Sequence, residues 1–116
     1  MPSNRAIGAL AHILHNIALA HSFVRDMGYE DFRADTRTVY AVTRCLEIIS
    51  EASRRLPNDL KQRHPQIPWA DIAAAGNIYR HDYEDVLEQF LWRTVETGLE
   101  ALLAVVEQEL QNLNGS

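Results

Sequence analysis

Residues 83–113 read YEDVLEQFLWRTVETGLEALLAVVEQELQNL. Apolar side chains recur at Val86/Leu87, Phe90/Leu91, Val95, Leu99, Leu102/Leu103, Val106, Leu110 and Leu113, in steps of three and four. That is the period of one helix face, not the alternation of a strand. The spacing predicts a helix from about Tyr83 to Asn112, about 45 Å long at 1.5 Å per residue. Such a helix carries more apolar stripe than one small bundle needs. Part of it, or part of the first helix's stripe, is therefore expected to pack on a second copy of the chain in a symmetric homodimer.

Working outward, three further helical segments lie upstream, the first two with the same period. A first helix is predicted from about Ser3 to Met27, with Ile7, Leu10, Ile13/Leu14, Ile17, Ala20, Val24 and Met27 on its apolar face. Ser3 or Asn4 can cap its start, and Gly28 sits where a left-handed stop is wanted. A short connection, Tyr29 to Asp35, leads to a second helix with Asp35 as N-cap and Val39, Val42, Leu46, Ile49, Ser53 and Leu56 as its stripe. Pro57 stops it. Asn58 to Pro68 reads as a loop with room for a helical turn near Leu60. A short third helix starts near Trp69 and reaches Tyr79 or Arg80. The third and fourth are either separate or one kinked helix, since nothing between Arg80 and Glu84 breaks a helix outright. No strand, repeat or linker is evident. The reading is all-α: one domain over residues 1–116, an up-and-down four-helix bundle.

The 116 residues, 47% hydrophobic and 23% charged, suit a single globular domain and exclude disorder. One cysteine rules out an intramolecular disulfide and fits a cytoplasmic location. No apolar run approaches the roughly 20 residues of a membrane span, so no membrane association is expected. Eleven basic against sixteen acidic residues, net charge −5, argue against a protein that coats polyanions. They leave room for an enzyme that grips RNA at one local basic site.

Candidate chemistry is sparse. His12, His15 and His21 lie on the first helix without the third or fourth ligand that a zinc site needs, and HExxH is absent, so no metal is expected. His64, beside Pro65, reads as an exposed loop residue. Cys45 falls on the apolar side of the second helix and reads as a small buried hydrophobe. Arg44, Glu47 and Glu51 share a flank of that helix; a solvated face is the plainer reading, a polar cleft wall the alternative. The densest polar group is Asn77 to Asp85. On a helix Asn77 and His81 are four apart, and Arg80 and Tyr83 three apart on the adjoining face. Arginine offers a permanent fork for phosphate oxygens, and histidine titrates near neutrality as base or acid.

Three blocks, Leu46-Glu47-Ile48-Ile49-Ser50-Glu51-Ala52, Pro68-Trp69-x-x-Ile72 and Asn77-x-x-x-His81-x-Tyr83, together resemble the HepT-like proteins, the DUF86 branch of the HEPN superfamily. The likeness runs from about Asn4 to about Glu109. It implies a homodimeric helical bundle of HEPN type without a cofactor. It further implies a metal-independent ribonuclease toxin, encoded beside a minimal nucleotidyltransferase antitoxin that transfers AMP to the motif tyrosine. The family motif is Arg, four to six residues, His, any residue, Tyr. His81 and Tyr83 match its second half, and Asn77 matches a polar residue that often follows the arginine. The arginine position, five before His81, is Gly76; Arg80 stands next to His81 instead, and the nearest upstream arginine is Arg63.

The resemblance implies roles. His81 serves as general base or acid, Arg80 as the charge partner of the phosphorane-like transition state, Tyr83 as phosphate-positioning group and AMP acceptor, and Asn77 as the group that orients His81 or a phosphate oxygen. Two readings follow. Either Arg80 serves from a shifted position, or catalysis is weakened and the dimer is a nucleotide- or protein-binding module.

Overall fold

The structure, a computed structural model, describes residues 4–78 and 84–114. Every regular element among the described residues is helical. Helices α1 (Asn4–Phe23), α2 (Tyr29–Ala34), α3 (Thr36–Arg54), α4 (Asn58–Arg63), α5 (Trp69–Ile78), α6 (Glu84–Arg93) and α7 (Glu100–Asn114) follow in order, with a π-helical turn, Thr94–Gly98, between the last two. The largest interface joins α1 to α3; α5 packs on α3, and α7 on α1.

The predicted stripes build the core. Leu10, Ile13 and Ile17 of α1, Val42, Leu46 and Ile49 of α3, and Leu91, Val95, Leu102 and Val106 of the last winding are all buried. The core face of α1 is rotated slightly from the expected one: Ala6 and Ala9 face inward, and Ile7 is exposed. With 20 residues, α1 is long and apolar enough by composition to cross a membrane, which the apolar-run reading did not anticipate. Here its apolar face is the core of the fold.

Four expectations are corrected. First, α1 ends at Phe23, and the left-handed residue is Asp26 (φ 64°), not Gly28, whose backbone is extended. Aspartate tolerates this conformation, and Gly28 instead opens α2, its N–H donating to the Asp31 carboxylate at 3.0 Å. Second, the Tyr29–Asp35 connection is itself a helix. Buried Phe32 holds it down, its ring 5.4 Å from that of Trp92. Third, the helical turn allowed near Leu60 is present and exceeds a single turn: residues 58–63 form a short helix, started by extended Pro57 and anchored by buried Leu60. Fourth, the last winding is not one regular α-helix. The hydroxyls of Thr94 and Thr97 donate to the carbonyls of Phe90 and Arg93, four residues back, and His21 Nε2 donates to the Val95 carbonyl at 3.2 Å. These bonds accompany the widened π turn.

Asp35 caps α3 as predicted, accepting from the Thr38 amide at 3.3 Å and from its hydroxyl at 2.9 Å.

His64 also departs from expectation. It is buried, and its Nε2–H donates to Glu109 Oε2 at 2.7 Å. Arg63 Nη2 donates to the other oxygen of Glu109 at 2.8 Å. Burial pushes the Glu109 carboxyl upward, but the hydrogen bonds from Arg63 and His64, with their charges, outweigh it and hold the group below its ordinary value. The indole N–H of Trp69 donates to the carbonyls of His64 (3.0 Å) and Lys61 (3.2 Å). The segment leading into α5 is thus fastened to α7 at one end and folded on itself at the other.

Candidate functional site

The seam between α3 and α5 turns on Ser50 and Gly76. Ser50 is buried, and its hydroxyl donates to the Ala73 carbonyl at 3.1 Å and accepts from the Gly76 amide at 3.2 Å. Arg54 Nη2 makes a longer contact with the same oxygen, 3.5 Å. One donor and two acceptor sites are thereby all used.

A glycine inside a helix costs about 1 kcal/mol relative to alanine, and here close approach requires it. A Cβ at position 76 would lie 3.0 Å from Ser50 Oγ and 3.0 Å from Arg54 Nη2. The space a side chain would enter is already occupied from α3.

Beside this seam opens a polar cavity of about 190 Å³, lined by Arg44, Glu47, Glu51, Arg54 and Gly76. The α3 flank is thus solvent-exposed at Arg44 and Glu51, as the plainer reading had it, and also forms one wall of this cavity. Glu51 is engaged by Arg55 Nη1 at 3.0 Å, and Arg55 Nη2 also lies 3.2 Å from His12 Nδ1. Arg63 is held by Glu109 and Asp59. Among the described residues, neither Arg44 nor Arg54 has a carboxylate within 4 Å.

Asn77 follows Gly76 on α5. Its side chain, and Arg80, His81 and Tyr83 altogether, lie outside the described residues. Sequence reading missed Arg54, although it continues the spacing of Arg44, Glu47 and Glu51 by another three residues. It also missed that Ser50 is the clasp of the seam, having quoted it only within a motif block. Cys45 is buried, as expected, and burial pushes its thiol upward, away from a nucleophile's range. Among the described residues, no three His, Cys, Asp or Glu side chains are grouped to hold a metal.

Comparison with known proteins places this seam in context. The chain is 40% identical over 99 residues to the "Probable ribonuclease HepT" of Thermococcus cleftensis, covering 85% of this chain and 90% of the relative. It is 30% identical over 115 residues to a Methanocaldococcus jannaschii protein that carries a provisional RNase name, covering 99% and 95%. A protein of Caldanaerobacter subterraneus with a similar name is 32% identical over 102 residues, covering 88% and 91%. No solved structure matches the chain. The family model described as "Ribonuclease HepT-like" matches residues 13–109, a span that takes in the α3 flank, Gly76 and the whole Asn77–Tyr83 block, and the chain belongs to that family.

Proposed function

We propose that the protein is an endoribonuclease toxin of HepT type, cleaving RNA through its ribose 2′-OH and restrained by a cognate nucleotidyltransferase. The observation that carries this reading is a polar cleft at Gly76 whose Arg44 and Arg54 have no carboxylate within 4 Å among the described residues, immediately before Asn77-x-x-x-His81-x-Tyr83 in sequence, in a chain of this family.

In the proposed reaction a base takes the 2′-OH proton, and the freed oxygen attacks the adjacent phosphorus. The bond from phosphorus to the 5′ oxygen breaks, and that oxygen receives a proton from an acid. The products are a 2′,3′-cyclic phosphate and a 5′-hydroxyl. His81 acts as base or acid, Arg80 offsets charge on the phosphorane-like state, Tyr83 positions the phosphate and Asn77 orients His81. Two-fold assembly supplies the second protonatable group from the other copy. The step uses no metal, so chelation should leave it intact. Transfer of AMP to Tyr83 by the nucleotidyltransferase would add a phosphate and a base at the cleft, excluding RNA by charge and bulk. The setting proposed is the cytoplasm.

The glycine at position 76 favours a second reading, a binding dimer with little or no catalysis. A labelled RNA, incubated in EDTA beside the same oligomer carrying 2′-deoxyribose throughout, separates the two. Cyclic-phosphate ends from the RNA alone support the nuclease. Uncut RNA at stoichiometric protein supports the binding module.

A further inference from the structure

The position that lacks a side chain is not without a cation. Arg54 reaches across from α3 and sets Nη2 3.0 Å from where a Cβ at position 76 would stand. Its only partner among the described residues is the long 3.5 Å contact with Ser50 Oγ, and it is an exposed residue at the cavity's edge. The neighbouring arginines differ: Arg55 is engaged by Glu51 and His12, and Arg63 by Glu109 and Asp59. A guanidinium has five N–H donors in a rigid fork. Arg54 lines the polar cavity of about 190 Å³, and among the described residues no carboxylate lies within 4 Å of its guanidinium. Glu47 and Glu51 on the same wall disfavour a general anion. Glu51, however, is already paired with Arg55, and Arg44 adds a second cation at the wall.

From this we infer that Arg54 is the phosphate-binding cation of the site, delivered from α3 into the space that Gly76 leaves open. The inference rests on the ribonuclease reading for its substrate, an RNA phosphodiester, but its geometry stands independently. Glycine at position 76 then makes room for the arrangement rather than marking a lesion. Any side chain there would meet the guanidinium at its first carbon.

The test uses the full-length protein and four variants: Arg54→Ala, Arg54→Lys, Arg80→Ala, and Arg25→Ala as a remote charge control, each checked for fold by circular dichroism. Two readouts are taken: single-turnover RNA cleavage, and binding of an uncleavable 2′-deoxy oligonucleotide across a salt series. Cleavage at least tenfold slower in Arg54→Ala, partly restored in Arg54→Lys and unchanged in Arg25→Ala, supports the assignment. Loss of cleavage in Arg80→Ala with Arg54→Ala within twofold of wild type overturns it and leaves the nuclease reading standing. If wild type cuts no RNA, the nuclease reading fails and binding decides the inference. Affinity at least fivefold weaker in Arg54→Ala, with a salt slope shallower by about 1, supports a phosphate contact. Affinity and slope equal to those of Arg25→Ala overturn it.

Discussion

Removing the Glu109 carboxylate should unfasten the segment that leads into α5. Glu109 and His64 are both buried, while Arg63 keeps about half of its side chain in solvent (52% exposed). A hydrogen bond to a charged group contributes about 1.5–3 kcal/mol when shielded, whereas a solvent-exposed ion pair contributes about 0–1 kcal/mol. The His64 arm therefore dominates, and Glu109→Ala should cost about 2–3 kcal/mol. At roughly 4 °C per kcal/mol for a chain of this size, the midpoint of thermal unfolding should fall by about 8–12 °C. Glu109→Gln keeps one acceptor and should fall less.

The effect carries a pH signature. The folded carboxyl lies below its ordinary value. Its contribution is therefore fully present above the unfolded pKa of about 4.3, and it is lost as pH falls through the folded value. Melts followed at 222 nm should show a wide gap between wild type and Glu109→Ala at pH 7 that narrows below about pH 4. A gap under 2 °C at pH 7, or one that persists undiminished at pH 3, would refute the reasoning.

Gly76→Ala gains about 1 kcal/mol of helix propensity. It must nevertheless displace Ser50 Oγ, which two hydrogen bonds hold in place, so overpacking should leave a net loss of about 1 kcal/mol in a denaturant titration. A raised midpoint would show that Ser50 yields freely. Cys45, buried with its thiol shifted upward, should react with a thiol reagent only at the rate of unfolding; stoichiometric labelling of the native protein within minutes would contradict that burial. Light scattering should give about twice the chain mass of 13.2 kDa across micromolar dilution, and a mass of one chain throughout would remove the dimer from the account.

What the sequence revealed and concealed follows from the range of the interactions. The stripe of α3, the Asp35 cap and the burial of Cys45 depend on neighbours three or four residues away and were legible, as was the α1 stripe except at Ile7, which is exposed while Ala6 and Ala9 face inward. Helices α2 and α4, six residues each, are too short to display a period. The π turn inserts extra backbone without disturbing the apolar order, so residues 83–113 looked like a single helix. His64 looked exposed because Pro65 is its neighbour in sequence, while Glu109, its partner in space, is 45 residues away. Position 76 showed a missing side chain. That the space is filled by an arginine from another helix emerges only when α3 and α5 are packed together.

The central claim is that the seam between α3 and α5 leads into a ribonuclease site whose proton is moved by His81. Single-turnover cleavage of a labelled RNA in EDTA by wild type and by His81→Ala tests it most directly. The account predicts that wild type generates 2′,3′-cyclic-phosphate ends and that the variant, folded and able to bind the RNA, is slower by about 10²–10⁴-fold. Equal rates in the two proteins, or no cleavage by wild type at all, would contradict it.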